Sequence, residues 1–357
     1  MPMIEKYREI IDKIDKEILR LLNERAKIVI EVGKEKIKNN KSFFDIPREE
    51  AHIRDLLSSN TGPLLDESVK NIFREIISSC RLLEGTLKVA FLGPEGTFTH
   101  LAALKRFGRD TIYIPARSIP EVFSLVEKGE VILGVVPIEN STEGVVNYTL
   151  DMFMTSPLNI IGEIIIPISH NLIARDDVRE IKRIYSHPQA FGQCKEYLEK
   201  NFPDIDLVET NSTAKAVEMA SKDIESAAIG SEVAAERFGL KVIASRIEDD
   251  PNNRTRFLVI GKNNENRASG KDKTMVMFST AHKPGALFNA LRCFAENSVN
   301  LTMIQSRPSR EVLWEFVFFV EFQGHREEEH VKKALSALRE VVWSYRIIGS
   351  YPEDESV

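Results

Sequence analysis

At 357 residues the chain is too long for one small domain and suits two or three. With 43% apolar and 29% charged residues it has the profile of a soluble globular protein, and its net charge of −6 argues against a nucleic-acid binder relying on bulk charge. No apolar run approaches the roughly 18 residues of a membrane span, and residues 1–15 alternate charges where a signal peptide would be apolar. Cys80, Cys194 and Cys293 lie far apart, and the seven histidines form no H-x-x-x-H pair, so no disulfide framework, metal or cofactor is expected. The expectation is a cytoplasmic protein with no membrane or nucleic-acid partner.

Three regimes follow in chain order. Residues 1–85 read as helix, interrupted at 41–47 and 60–66. From 88 to about 262 short β-branched runs (89–92, 112–114, 131–137, 164–168, 207–209, 227–230, 242–244, 257–260) alternate with helical stretches, which predicts an α/β arrangement. A polar stretch over 263–272 predicts a linker. After it, strands at 274–280, 301–307, 314–321 and 343–349 with helices at 285–297 and 327–341 spell a ferredoxin-like βαββαβ order.

The first helix carries charge on its apolar face. Over residues 3–38, Tyr7, Ile10, Ile11, Ile14, Ile18, Leu21, Leu22, Ile28, Val29 and Val32 share one arc about 120° wide. Arg25 falls in the middle of that arc, Lys36 about 20° from it, and Arg8 at its edge. One such cation can snorkel to water; two in mid-stripe call for an anion. Arg8 lies about 25 Å along the axis from Arg25, so one straight helix cannot bring both to one small ligand. If they share a site, Arg8 comes from a second, antiparallel chain. Asp45-Ile-Pro47 is a helix-start signal followed by Arg48 and Glu49, and Glu84 borders the apolar face that includes Cys80 on the third helix.

These residues resemble an all-helical chorismate mutase of the AroQ class over about 5–85, through R-x-x-I-D-x-x-D-x-x-I-L-x-L-L-x-x-R (8–25), V-G-K-x-K (32–36) and D-x-x-R-E (45–49). The resemblance implies that Arg8 of the partner chain, Arg25 and Arg48 hold two substrate carboxylates. It further implies that Lys36 donates to the ether oxygen and that Asp45 or Glu49 accepts from the ring hydroxyl. A Claisen rearrangement needs no base, nucleophile or metal, only a clamped conformer and stabilised charge. Glu84 stands where some relatives have glutamine and Cys80 where they have serine. Glu84 donates only when protonated, so mutase activity is expected to decline as pH rises.

In the middle region the loop Gly93-Pro-Glu-Gly96 after a strand is not a nucleotide loop: G-x-G-x-x-G and G-K-[ST] are both missing, and Pro94 removes a donor. Polar clusters at 139–142, 186–188, 211–213 and 252–257 each read alone as a cap or turn, but together they predict a polar cleft between lobes. With GPEGTFTH (93–100), VPIENSTEGVV (136–146), SHPQA (186–190), NSTAKA (211–216) and TRF (255–257), the region resembles prephenate dehydratase. The family fold is two α/β lobes like a periplasmic binding protein, with the active site between them. The resemblance implies Thr255 as catalytic hydroxyl and Arg256 as carboxylate clamp, with Glu95, Asn140, Ser141, His187, Ser212 and Thr213 lining the site. His187 stays open as the alternative proton donor.

In the C-terminal part, Gly285-Ala286-Leu287-Phe288 and Gln305-Ser306-Arg307-Pro308 resemble the GALF and ESRP motifs of ACT regulatory domains, which implies an effector site for phenylalanine at a subunit interface. Gln305 replaces the usual glutamate. The expected layout is therefore an all-α mutase at 1–86, a two-lobed α/β dehydratase at 87–263 and an α+β ACT domain at 273–352. It would turn chorismate through prephenate to phenylpyruvate as a homodimer through the N-terminal helix and the ACT domain. The rivals are an arogenate or mixed-specificity dehydratase and a non-catalytic amino-acid-sensing protein.

Overall fold

A computed structural model describes residues 3–39, 46–262, 266–309 and 315–354; the expected site residue Asp45 and the expected strand start at 314 lie outside them. The chain forms two compact units, residues 1–88 with 106–112, and residues 89–105 with 113–357.

The first unit holds α1 (Met3–Lys38), α2 (Ile46–Ser58) and α3 (Asp66–Glu84). α1 runs unbroken for 36 residues, with Glu5 in its first turn and Lys36 and Lys38 in its last, each sign complementing the helix dipole. Its one buried residue is Gly33, where an added Cβ would stand 3.1 Å from the Glu84 Cα. There α1 comes closest to the end of α3. Along the rest of the stripe Tyr7, Ile10, Ile11, Ile14, Ile18, Leu21 and Ile28 are 45% to 66% exposed. An apolar row of that length facing water signals a missing partner. Residues 106–112 pack on α3: Arg81 Nη1 donates to the Phe107 carbonyl (3.4 Å), and Gly108, at φ +77°, lies against Ser78.

The second unit begins with β1 (Lys88–Leu92), α4 (Phe98–Phe107), β2 (Ile112–Ala116), α5 (Ile119–Lys128), β3 (Leu133–Asn140), β4 (Gly144–Val145), α6 (Asn147–Thr155) and β5 (Asn159–Pro167). A second lobe follows with β6 (Asn171–Ala174), β7 (Arg183–Ser186), α7 (Pro188–Gln193), α8 (Lys195–Asn201), β8 (Asp206–Glu209), α9 (Thr213–Ala220), β9 (Ser226–Gly230), α10 (Glu232–Phe238) and β10 (Lys241–Ala244). β11 (Arg254–Gly261) then returns to the first lobe. The first sheet is ordered β2-β1-β3-β11-β5, with β4 beside β3; the second is ordered β10-β6-β9-β7-β8. Helix ends follow local chemistry: Ser118 accepts from the Glu121 N–H and Gly129, at φ +76°, closes α5. The eight expected strands are present; β4, β6 and β7, two to four residues long, were not among the expected runs.

The C-terminal βαββαβ order is as expected: β12 (Asp272–Ser279), α11 (Ala286–Glu296), β13 (Leu301–Pro308), β14 (Phe316–Gln323), α12 (Glu329–Val341) and β15 (Ser344–Pro352), in the sheet order β13-β14-β12-β15. Side chains alternate across it. Val276, Phe278, Val320 and Phe322 pack on Phe294 and Leu338 of the two helices. The other face is not left to water, because Met275, Phe319 and Tyr351 share one core with Val136, Leu258 and Ile260 of the first sheet. Residues 266–271 before β12 are tied down through Asn266, which donates to the carbonyls of Ile161 (2.9 Å) and Ser350 (3.0 Å). Arg346 of β15 donates to the carbonyls of Phe153 (3.3 Å), Ser156 (2.5 Å) and Leu158 (2.5 Å), serving carbonyls at the end of α6.

β15 meets β5 so closely that a Cβ at Gly349 would overlap the Ile160 carbonyl oxygen. Gly349→Ala is therefore expected to force the sheets apart, costing about 1–3 kcal/mol as overpacking does and lowering Tm. A thermal unfolding curve matching wild type would contradict that close approach.

Candidate functional site

In the helical unit, Lys36 Nζ and Glu84 Oε2 are 2.5 Å apart and largely shielded from water. The missing side chain at Gly33 lets the α3 terminus approach α1 closely enough for this pair. Arg25 is half-buried, and its Nη1 is buried with no hydrogen-bond partner, the condition that an anionic ligand would relieve. Arg8 and Arg48 are exposed and Cys80 is buried. Glu49 is held by Arg81 Nη2 at 2.7 Å. Beside it, Glu50 takes Arg106 and, at 3.9 Å, Arg74. Sequence reasoning missed Arg81, Arg74 and Arg106; each lies on a helix where a lone arginine looks like surface.

In the second unit, chain direction gathers the expected motifs. β1 and β3 are parallel and β11 is antiparallel to them, so residues 93–97, Asn140 and Thr255 share one edge. β7 is parallel to both β8 and β9, so Ser186, His187, Ser212 and Ser231 share the corresponding edge of the second sheet. The two edges meet: Ser231 Oγ donates to the Gly96 carbonyl (2.7 Å), and Glu95 pairs with Arg237. Gly96, at φ +90°, has the Ala234 Cβ 3.0 Å from where its own would stand. Ser231 and Arg237 were not expected as contacts of this loop.

The densest hydrogen bonding surrounds Asn140. Its Oδ1 accepts from the N–H groups of Thr142 (2.9 Å) and Glu143 (3.0 Å), which fixes the orientation of the amide. Its Nδ2 then faces Asn253 Oδ1 (2.8 Å), the Arg254 carbonyl (3.2 Å) and Thr255 Oγ1 (2.8 Å). Because Thr255 Oγ1 accepts there, its own hydrogen is left to donate, and the accepted bond polarises it for that task. Ser141 braces the same turn, its Oγ accepting from the Arg254 N–H (3.0 Å). His187 and Ser212 are helix caps, receiving the Gln189 N–H (3.3 Å) and the Lys215 N–H (3.1 Å). Thr213, half-buried, opens α9.

Arg256 departs from the expectation. Alternation along β11 turns it to the face opposite Thr255. There its Nη1 contacts Glu321 (2.7 and 2.8 Å) and Glu163 (3.3 Å), and its Nη2 contacts Glu139 (3.1 Å). The structure does not bring it to the Thr255 hydroxyl, and three carboxylates occupy both terminal nitrogens, while the buried Nε has no hydrogen-bond partner. Glu163 also takes Lys273 at 3.0 Å, and Glu321 takes the Tyr351 hydroxyl at 2.6 Å. Burial pushes the Glu321 pKa up, but Arg256, Tyr351 and Lys273 outweigh it and hold the carboxyl below its ordinary value. Lone glutamates inside apolar strands, Glu163 in Ile-Ile-Gly-Glu-Ile-Ile and Glu321 in Phe-Phe-Val-Glu-Phe, were the sequence signal for this cluster.

In the C-terminal sheet, Gly285 precedes α11 at φ +81° and Phe288 is 66% exposed. Ala286 is buried, and Leu287 packs on the core beneath α11. Gln305, Ser306 and Pro308 lie on β13, an edge strand where exposed Ile304 and Phe316 adjoin them. Arg307 reaches Asp151 of α6 with two bonds, at 2.6 and 3.0 Å. Among the described residues no His/Cys/Asp/Glu group could hold a metal ion, and no helix is long and apolar enough to cross a membrane.

Comparison with known proteins adds three family matches: chorismate mutase type II over residues 7–85, prephenate dehydratase over 89–265 and ACT domain over 274–340. A bifunctional chorismate mutase/prephenate dehydratase of Aquifex aeolicus is 46% identical over 358 aligned positions, covering 99% of both chains. One of Pseudomonas aeruginosa is 42% identical, covering 96% of each. Among solved structures, the prephenate dehydratase of Arthrobacter aurescens in complex with L-Phe is 36% identical, with a TM-score of 0.70 over 75% of this chain and 90% of that one.

The crossing between lobes contains His170, buried, with Nε2 donating to Gln193 Oε1 (2.8 Å) and no partner for Nδ1. Burial holds its pKa below 6.5 against the opposing pull of Gln193 and Glu248. The unfolded chain therefore takes up this proton first, and stability present above about pH 6.5 is lost as pH falls toward the folded value. His170→Gln should flatten that loss in urea titrations at about pH 7.5 and about pH 5.5. An identical pH dependence in the variant would contradict it.

Proposed function

The chain belongs to the bifunctional chorismate mutase/prephenate dehydratase family, and from that premise we propose how its residues divide the two reactions and the control over them. In the helical domain (1–86), Arg25 and Arg48 bind the carboxylates of chorismate together with Arg8 of a second copy. Lys36 and Glu84 face the ether oxygen, Cys80 lines the pocket, and Glu49 accepts from the ring hydroxyl. Two features support a homodimer: the exposed stripe on α1 and the unsatisfied Nη1 of Arg25. The reaction asks only for a dry, preorganised set of donors, with no group transferred to the protein.

In the dehydratase domain (87–263), prephenate loses its ring carboxylate as carbon dioxide and its ring hydroxyl as water, leaving phenylpyruvate. Aromatisation drives the reaction, and the enzyme's task is to assist the departing hydroxide. Thr255 serves this step by donating its hydrogen bond to the leaving oxygen. The observation that carries the assignment is the 2.8 Å bond by which Asn140 Nδ2 donates to Thr255 Oγ1. Ser141, Ser212, Thr213, His187 and Glu95 line the same two edges. The C-terminal domain (273–352) binds phenylalanine at Gly285–Phe288 and Gln305–Pro308, where Gln305 contacts the ammonium by hydrogen bonding without charge. A cytoplasmic location accords with three free cysteines, all buried.

The decisive assay follows purified protein from chorismate to phenylpyruvate, with and without phenylalanine. Turnover that phenylalanine suppresses is expected, and Thr255→Ala should cut the dehydratase step by about 10²-fold or more with the mutase step intact. Near-full dehydratase rate in that variant would overturn the assignment. The shared mutase site has its own test, mixing inactive Arg8→Ala with inactive Arg25→Ala. Random subunit exchange should restore about a quarter of the wild-type mutase rate. No recovery would mean that each site is built from one chain.

A further inference from the structure

Thr255 and Asn140 face each other across β11 and β3, and immediately beside them Arg256 faces Glu139 on the opposite side of the sheet. One residue further the ladder slips. Arg256 stands opposite Glu139, but Phe257 stands opposite Pro137, so Ile138 has no partner on β11. Such a bulge interrupts pairing and re-aims the strand end beyond it, and Pro137 has no N–H with which to restore the ladder. Pairing of β11 with β5 continues regularly through this point, opposing Thr255 to Ile166 and Arg256 to Ile165. The element displaced by the slip is therefore the end of β3, which carries Asn140 and has only the two-residue β4 on its other side.

Arg256 spans the slip. Its Nη2 holds Glu139, the residue before Asn140, while its Nη1 holds Glu163 on β5 and Glu321 on β14. Glu321 is in turn fixed by Tyr351 (2.6 Å) and Thr302 (2.7 Å), both on the C-terminal sheet. Met303 Sδ lies 3.7 Å from Arg256 Nη2, two residues before Gln305 on β13. The guanidinium thus has one anchor on each of three strands, and the one held by the most bonds belongs to the C-terminal sheet.

We infer that Glu321 is a positioning residue for the dehydratase reaction: through Arg256 and Glu139 it sets the place of Asn140 and hence the aim of the Thr255 hydroxyl. The inference rests on the assignment of Thr255 to the departing hydroxide. It makes the C-terminal sheet part of the support of the catalytic edge, with or without an effector bound.

Glu321→Gln keeps the size of the side chain and one acceptor oxygen, enough for Tyr351 or Thr302 but not both, while removing the charge that binds Arg256. Dehydratase kcat is expected to fall about tenfold with KM within about twofold, because aim rather than binding is lost, and the mutase rate should stay unchanged. Tyr351→Phe, which removes a single bond to Glu321 and leaves the ring in the core, should give the same kcat-only pattern at smaller size. In a Thr255→Ala background Glu321→Gln should lower kcat no further, since the hydroxyl it aims is gone. Wild-type kcat in Glu321→Gln, a change confined to KM, or the same tenfold loss with and without Thr255 would each overturn the inference alone. Near-full rate in Thr255→Ala itself would instead sink the assignment on which it rests.

Discussion

The second unit depends on a guanidinium taken out of water. Removing a carboxylate or an arginine from solvent costs several kcal/mol per ion, and that cost is offset only when each charge finds a partner and the remaining lone pairs are satisfied. Around Arg256 charge is balanced by two cations, Arg256 and Lys273, against two deeply buried carboxylates, Glu163 and Glu321, with Glu139 at the margin, and only the guanidinium Nε is left without a hydrogen-bond partner. No one strand supplies the set. β3, β5 and β11 give three members and β12 and β14 the other two, so the charges are compensated only when the first sheet and the C-terminal sheet are in register. Apolar contacts around Leu258, Met275 and Tyr351 supply adhesion that tolerates sliding; the ionic cluster supplies the specific arrangement.

That arrangement bears on chemistry because β11 has two faces. The same one-residue step that turns Arg256 inward leaves Thr255 half-exposed at the edge with Asn140. A weakly acidic hydroxyl is a modest catalyst unless held at the right place, and holding it is what the surrounding amide, backbone and charge contacts do. The C-terminal sheet reaches the first lobe at other points too, through Arg307 to Asp151 and Arg346 to the end of α6. Any ligand that shifts β13 acts on a strand already joined to the first lobe.

Much of this was legible in the sequence. The helical, α/β and βαββαβ regimes follow from periodicity, and the motifs at 93–100, 136–146 and 255–257 were sufficient to gather Asn140 and Thr255. What escaped was of two kinds. β6 and β7 are four-residue strands whose identity comes from their sheet neighbours rather than from local propensity. The partners of Arg256 lie 65 and 93 residues away in sequence, and a motif shared with a family does not reveal which face of its strand each member takes. The alternation rule alone would have separated Thr255 from Arg256, since adjacent residues in a strand cannot point to the same side. In the helical unit, Arg25 and Lys36 were conspicuous on their apolar stripe, whereas Arg81 was not, because its carboxylate and carbonyl partners come from α2 and from residues 106–112.

The central claim is that Arg256 and Glu321 act as one buried unit joining the two sheets, and a double-mutant cycle in urea tests it most directly. Arg256→Met and Glu321→Met each upset the charge balance of the buried cluster and should each cost about 3–5 kcal/mol, while the double variant, with both charges gone, should cost far less than their sum. A double variant destabilised by the full sum would contradict the account and leave the two side chains as independent neighbours.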